Sequence, residues 1–110
     1  MTQTTDEAFG LQDLDALIRS RVNAKAETSY TKSMLDKGAV HCARKFGEEA
    51  VEFVIAATQG EARPITAEAA DVLYHLLVAL QAAGVPLKNV MNELQSRTKM
   101  SGLEEKASRS

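Results

Sequence analysis

Two long helical segments constrain the fold of this 110-residue chain more than any other feature of its sequence. The first covers residues 39–58, is rich in Ala and Glu, contains no proline and stops at Gly60. The second is predicted over residues 67–83, because Pro64 prevents immediate continuation of a helix and Thr66 is a suitable N-cap. With no convincing strand pattern elsewhere, the sequence predicts an all-α fold.

Shorter segments with helical spacing of apolar residues flank the two long ones. They are predicted over residues 11–21, 29–37 (capped by Ser29) and 87–97 (after Gly84 and Pro86), with a capping box and last helical turn at 101–106. Residues 1–10 are mostly polar and are predicted to be a flexible tail, which leaves residues 11–110 as one domain.

Composition excludes several classes of protein. The net charge of −2 argues against a general nucleic-acid binder, and 5% aromatic content argues against a stacking platform for single strands. Cys42 is the only cysteine, which excludes an internal disulfide and a zinc site of several cysteines. With no signal-peptide pattern and only short apolar runs, the expected location is the cytoplasm, without a membrane span. A chain this short buries a modest share of its surface, so self-association is expected.

Five acidic residues carry the most informative pattern. Glu48, Glu49 and Glu52 fall within an arc of roughly 100° on the first long helix. That arc lies beside an apolar stripe, so we expect these acids at the edge of the core. The stripe consists of Val40, Ala43, Ala50, Val51 and Val54.

Glu68 and Asp71 share one face of the second long helix, because they are three residues apart. This helix is apolar nearly all round, which indicates that it is buried. Two buried anions are costly unless neutralised, and no Lys or Arg occurs between residues 67 and 81. Carboxylates facing each other across two helices suit Mg²⁺ or Mn²⁺, and Mg²⁺ commonly takes further ligands from substrate phosphates. The pattern therefore favours a di- or triphosphate substrate.

Simpler explanations stay open for each of these residues. The acids of the first helix fit a solvated face, and those of the second fit the preference for acids in a first helical turn. Lys37, Arg44 and Lys45 are candidates to meet phosphate oxygens, or are solvated cations. His75 is a candidate ligand or orienting group, or a hydrogen-bonded structural histidine. The C-terminal segment closes over an anionic ligand or is a frayed end; its polar residues include Arg97, Lys99, Ser101, Lys106 and Arg109.

A resemblance to a known family narrows these possibilities. Lys45-Phe46-Gly47-Glu48-Glu49-Ala50-Val51-Glu52, followed by Glu68-Ala69-Ala70-Asp71, resembles the EExxE…ExxD signature of the all-α, MazG-like nucleoside triphosphate pyrophosphatases. More narrowly, the chain resembles the phosphoribosyl-ATP pyrophosphatases of histidine biosynthesis. The C-terminal Ser-Gly-Leu-Glu-Glu-Lys-Ala-Ser-Arg, and Ser29-Tyr30-Thr31 followed by Lys37-Gly38, carry the narrower likeness, which covers roughly residues 11–110.

The resemblance implies Mg²⁺-dependent hydrolysis of phosphoribosyl-ATP to phosphoribosyl-AMP and pyrophosphate by a MazG-like helical bundle whose core is completed in a homodimer. It also implies roles for the five acids, all of them candidate catalytic residues. Glu49, Glu52, Glu68 and Asp71 match the metal ligands, and Glu48 matches a further ligand or a base acting on water. The candidate substrate-binding residues are Lys37, Lys45, His75, Lys99, Ser101, Lys106 and Arg109.

Two other functions fit the same sequence. A housekeeping pyrophosphatase acting on another nucleotide would share the acidic signature. A non-catalytic helical dimerisation module would carry the acids only as surface charge. Metal binding and substrate choice separate the three hypotheses, because only a metal site stabilises the fold when Mg²⁺ is added.

Overall fold

A computed structural model describes residues 8–99 of the chain. Within this range the chain contains five helices and no strand, which confirms the predicted all-α class. The helices are α1 (Leu11–Ser20), α2 (Tyr30–Asp36), α3 (Ala39–Gln59), α4 (Ala62–Ala83) and α5 (Leu87–Thr98). The predicted helical turn at 101–106 and most of the predicted tail at 1–10 lie outside the described residues.

Three predicted helix ends are confirmed, and each has a local physical cause. The Ser29 hydroxyl accepts a hydrogen bond from the Lys32 amide at 3.1 Å and so caps the start of α2. Gly60 ends α3 and Gly84 ends α4, with φ values of 80° and 75°. These left-handed conformations suit glycine because it has no Cβ to clash with the backbone.

The predicted start of α4 is wrong. The helix begins at Ala62 rather than Ala67, so Pro64 is its third residue and Thr66 lies inside it. The first amides of a helix have no acceptor within that helix, so a proline loses no hydrogen bond there. The Thr66 hydroxyl is not a cap; it donates to the carbonyl of Ala62 at 2.8 Å.

The core lies where the five helices meet, at the end of the α3–α4 pair that is far from Gly60. Every helix contributes to it. Its buried apolar residues are Ile18, Met34, Cys42, Leu77, Val78 and Leu87. Burial raises the pKa of the Cys42 thiol, whose sulfur donates to the Met34 carbonyl at 3.2 Å, so this cysteine is a packing residue.

The other half of the α3–α4 pair has little cover within a single chain. Val51, Val54 and Ile55 on α3 are each more than half exposed, and Leu73 on α4 is exposed too. The expectation that the second long helix is buried is confirmed for its second half, which contributes Leu77 and Val78 to the core, and is wrong for its first half. The apolar stripe of α3 is exposed in one chain. The short helices pack at the far end only, so they leave the stripe uncovered.

No single helix within residues 8–99 is both long and apolar enough to cross a membrane. Ala62–Ala83 and Leu87–Thr98 meet the length and composition test only as a pair, and they are bent by 114° at their junction.

Candidate active site

The turn between α3 and α4 sets the register of the acidic residues. Glu52 lies eight residues before Gly60 and Glu68 lies eight residues after it. Glu49 and Asp71 are both eleven residues from the same glycine. In an antiparallel helix pair with a tight turn, residues equally far from the turn lie at the same height. The fold therefore sets Glu52 beside Glu68 and Glu49 beside Asp71.

Three of these carboxylates converge closely. Glu49, Glu68 and Asp71 each offer an oxygen, and the three oxygens lie within 4.8 Å of one another. Glu49 and Glu68 are partly buried, whereas Asp71 is exposed to solvent. Such an all-oxygen group, open on one side, has the chemistry and spacing to hold a divalent cation and leave room for other ligands.

Glu68 is the acid of this group whose negative charge is least compensated by its surroundings. Its Oε1 atom is buried and has no hydrogen-bond partner within residues 8–99. Burial raises the pKa of Glu68, and the negative charges of Glu52, Asp71 and Glu49 raise it further, in that order. A buried oxygen without a partner, among like charges, is what a bound cation would relieve.

Because the charge of Glu68 is poorly compensated, we expect its removal to raise the stability of the fold, by an amount that depends on pH. Because its folded pKa is raised, the stability linked to this group is complete below its ordinary value of 4.5 and is lost as pH rises through the folded pKa. In chelator, Glu68→Gln should therefore melt above the wild type from about pH 5 upward, with the gap closing in acid. Thermal melts across pH check this, with Glu27→Gln, on the exposed connection, as control. Equal melting at neutral pH would show that the crowding does not destabilise the fold.

Lys45 sits at one side of the acidic group. Its Nζ atom lies 3.3 Å from Glu48 Oε1 and 4.0 Å from Glu49 Oε2. The hydrogen bond to Glu48 raises the pKa of Lys45, and Tyr30 raises it further. Lys45 thus places a positive charge beside the acids, where an anionic ligand would meet it. Glu48 itself is half exposed and directed to this lysine.

His75 is placed behind the site rather than among its carboxylates. Its side chain is buried, and its Nδ1 atom lies 2.9 Å from the main-chain carbonyl of Asp71. A carbonyl oxygen only accepts, so Nδ1 carries the hydrogen and donates it in this bond. Nε2 is buried and has no partner within residues 8–99. The hydrogen bond of His75 thus stabilises the helix turn that carries Asp71.

The remaining predicted binding residues are less well placed by the structure. Lys37, the C-cap of α2, and Lys99, the C-cap of α5, are exposed, and the described residues give no ion pair between either lysine and the acids. Ser101, Lys106 and Arg109 lie outside the described residues. The sequence pattern assigns no role to Tyr30 or Tyr74, but in the structure the rings of both tyrosines contact the ring of His75.

Comparison with known proteins identifies the family. The sequence profile of the phosphoribosyl-ATP pyrophosphohydrolases matches residues 11–98, which include all five acids. The chain belongs to the phosphoribosyl-ATP pyrophosphohydrolase family. Its resemblance to this family, inferred from the acidic motif and the C-terminal segment, is thereby confirmed.

Curated members of the phosphoribosyl-ATP pyrophosphohydrolase family match nearly the whole chain. "Phosphoribosyl-ATP pyrophosphatase 1" of Rhodopseudomonas palustris is 55% identical over 101 residues, which are 92% of this chain and 94% of that protein. The protein of the same name from Bradyrhizobium diazoefficiens is 56% identical, with 92% and 95% covered. A phosphoribosyl-ATP pyrophosphatase of Methylobacterium nodulans is 54% identical, with 92% and 94% covered. The acidic group thus lies in an enzyme family whose reaction cleaves a phosphoanhydride.

Proposed function

We propose that this chain hydrolyses 1-(5-phosphoribosyl)-ATP to 1-(5-phosphoribosyl)-AMP and pyrophosphate, the second step of histidine biosynthesis, with Mg²⁺ as its cofactor. The observation that carries the proposal is the convergence of Glu49, Glu68 and Asp71 in a member of this family. ATP-derived intermediates of biosynthesis are found in the cytoplasm, so we place the activity there.

The donor set supports Mg²⁺, with Mn²⁺ as a substitute. Carboxylate oxygens are hard ligands that Mg²⁺ and Mn²⁺ accept, whereas zinc prefers nitrogen and sulfur. We assign Glu49, Glu52, Glu68 and Asp71 as ligands. Glu52 joins the three converging acids because it lies opposite Glu68 in the register of the hairpin, eight residues before Gly60.

The residues around this group supply the remaining chemistry. A Mg²⁺ ion held by these four acids would neutralise charge on the triphosphate and make water in the site more acidic. Glu48 accepts the proton of the attacking water, since it lies one residue from a ligand on the same face of α3. Lys45, now paired with Glu48 and Glu49, exchanges these partners for a phosphate oxygen and stabilises the leaving pyrophosphate.

We assign the other candidate residues to binding of the substrate. Lys37, Lys99, Lys106 and Arg109 supply positive charge for the phosphates of the substrate, which carries a triphosphate and, on its extra ribose, one further phosphate. Ser101 offers a hydroxyl. His75, through its hydrogen bond to the Asp71 carbonyl, acts on the substrate indirectly by fixing the ligand.

Self-association completes the fold in this proposal. Large apolar side chains are exposed on both helices of the uncovered half of the α3–α4 pair: Val51, Val54 and Ile55 on α3, and Leu73 on α4. Water contact with such a face is unfavourable, and a second copy of the same chain offers an identical apolar face to cover it. We therefore propose a homodimer joined through these helices.

The test of the function is pyrophosphate release from phosphoribosyl-ATP, with ATP and dUTP as competing substrates and with chelator as the metal-free control. We expect release from phosphoribosyl-ATP that stops in chelator and returns with Mg²⁺. Release from ATP or dUTP alone would favour a housekeeping pyrophosphatase. No release from any of the three would favour the non-catalytic dimerisation module.

A further inference from the structure

An aromatic cluster lies next to the helix turn that carries Asp71. The rings of Tyr30 and Tyr74 are stacked, with centroids 6.4 Å apart and planes inclined by 21°. The ring of His75 meets both tyrosines edge-on, with centroids 6.3 Å from Tyr30 and 4.9 Å from Tyr74. Since His75 also bonds the Asp71 carbonyl, the cluster is attached directly to the helix turn that holds an active-site acid.

Tyr30 is the member of this cluster that faces solvent. It is 56% exposed, whereas His75 is only 6% exposed. Exposed tyrosines are common, but the residues before and after Tyr30 in the chain, Ser29 and Thr31, are both buried. Ser29 caps α2, and the Thr31 hydroxyl is hydrogen-bonded to that of Tyr74. The structure thus fixes the ring of Tyr30 in place while leaving it open to solvent.

The position of Tyr30 matches the layout of the proposed substrate. Its ring meets that of His75, which bonds the Asp71 carbonyl at 2.9 Å. The ammonium group of Lys45 on α3 lies 3.3 Å from Glu48 and 4.0 Å from Glu49. In the nucleotide, one ribose separates the adenine ring from the phosphates, which the proposed cation at the acids and Lys45 would bind. An aromatic ring next to the phosphate site is therefore within reach of the base.

We propose that Tyr30 is the stacking platform for the adenine ring of the nucleotide, a specificity-determining role that rests on the proposed function. Adenine is the only aromatic group in phosphoribosyl-ATP, and Tyr30 is an exposed ring linked through His75 to the acidic group. Substitution at N1 makes adenine a stronger base, so the ring carries positive charge near neutral pH. A cationic ring is attracted to the negative face of tyrosine, which favours this substrate over unmodified ATP.

Two substitutions separate the ring of Tyr30 from its hydroxyl. Tyr30→Leu removes the aromatic face, whereas Tyr30→Phe keeps it and removes the hydroxyl. We expect Tyr30→Leu to raise KM for phosphoribosyl-ATP about tenfold or more, with a smaller change in kcat. Tyr30→Phe should stay close to the wild type. Competition supplies matched probes: Tyr30→Leu should weaken inhibition by ATP but leave inhibition by inorganic tripolyphosphate, which has no base, unchanged.

Each of the following results would contradict the role of Tyr30 as the stacking platform for adenine, and each would indicate a different cause. Equal losses in the Leu and Phe variants would assign the effect to the hydroxyl. Equal weakening of ATP and tripolyphosphate would assign it to the phosphate site, and a change of oligomeric state in Tyr30→Leu, seen by light scattering, would place Tyr30 in a subunit contact. Wild-type enzyme with no activity on phosphoribosyl-ATP would instead refute the proposed function, so the two failures are distinguishable.

Discussion

Asp71→Asn is expected to lower the turnover of phosphoribosyl-ATP by on the order of a thousandfold while the fold survives. The amide keeps the size of the side chain and loses its charge, so the group of three converging acids loses a ligand without losing packing. Asp71 is exposed, which limits any cost to the folded state. Steady-state pyrophosphate release and circular dichroism measure the two parts of the prediction, and Glu52→Gln should behave in the same way.

The matched control is Glu93→Gln, an acid-to-amide change on α5. Glu93 pairs with Arg97 at 3.1 Å and is exposed, so its loss should leave turnover close to the wild-type value. Full activity in Asp71→Asn would remove the residue from the metal site. A loss of helical signal in that variant would mean that the charge supports the fold.

Val54→Lys is expected to shift the protein from dimer to monomer. Val54 is more than half exposed in the single chain and belongs, with Val51 and Ile55, to the uncovered apolar face of α3. Burying an unpaired ammonium there costs several kcal/mol, which weakens association by roughly a hundredfold or more. Light scattering over a dilution series checks this, because the variant should dissociate at concentrations at which the wild type stays dimeric.

Met91→Lys, on α5, is the control for added charge on an exposed apolar residue. Met91 is 43% exposed and does not belong to the proposed interface, so its variant should keep the oligomeric state of the wild type. If Val54→Lys were as dimeric as Met91→Lys, the dimer would have to form through a different face. A wild-type protein that is monomeric at all concentrations would contradict the homodimer itself.

Much of the helical framework could be predicted from the sequence, because its boundaries are set by local chemistry. Ser29, Gly60 and Gly84 act through their own backbone or side chain, and each marks a helix end in the structure. Pro64 misled the prediction for α4 because a proline has two compatible positions, before a helix and within its first turn. Which of the two is occupied depends on where the preceding turn closes.

The sequence singled out the three acids that the structure brings together, Glu49, Glu68 and Asp71, but it could not predict how deeply each is buried. The spacing of the acids placed Glu68 and Asp71 on one face, and their equal distances from Gly60 could also have predicted the pairing across the hairpin. Burial could not be predicted in this way, since it depends on which helices cover which face. The three short helices cover the end with Cys42 and Leu77 and leave Val54 exposed. The tyrosine cluster was missed because Tyr30 and Tyr74 meet only in the folded chain.

The most direct test of the metal site is Mn²⁺ binding by the wild type and by Asp71→Asn, followed through the electron spin resonance signal of free Mn²⁺ without nucleotide. Four carboxylates grouped as proposed should remove Mn²⁺ from solution in the wild type and bind it much more weakly in the variant. Added Mg²⁺ should release the bound Mn²⁺ by competition. Equal binding by the two proteins, or no binding by the wild type, would contradict the assignment of these acids as metal ligands.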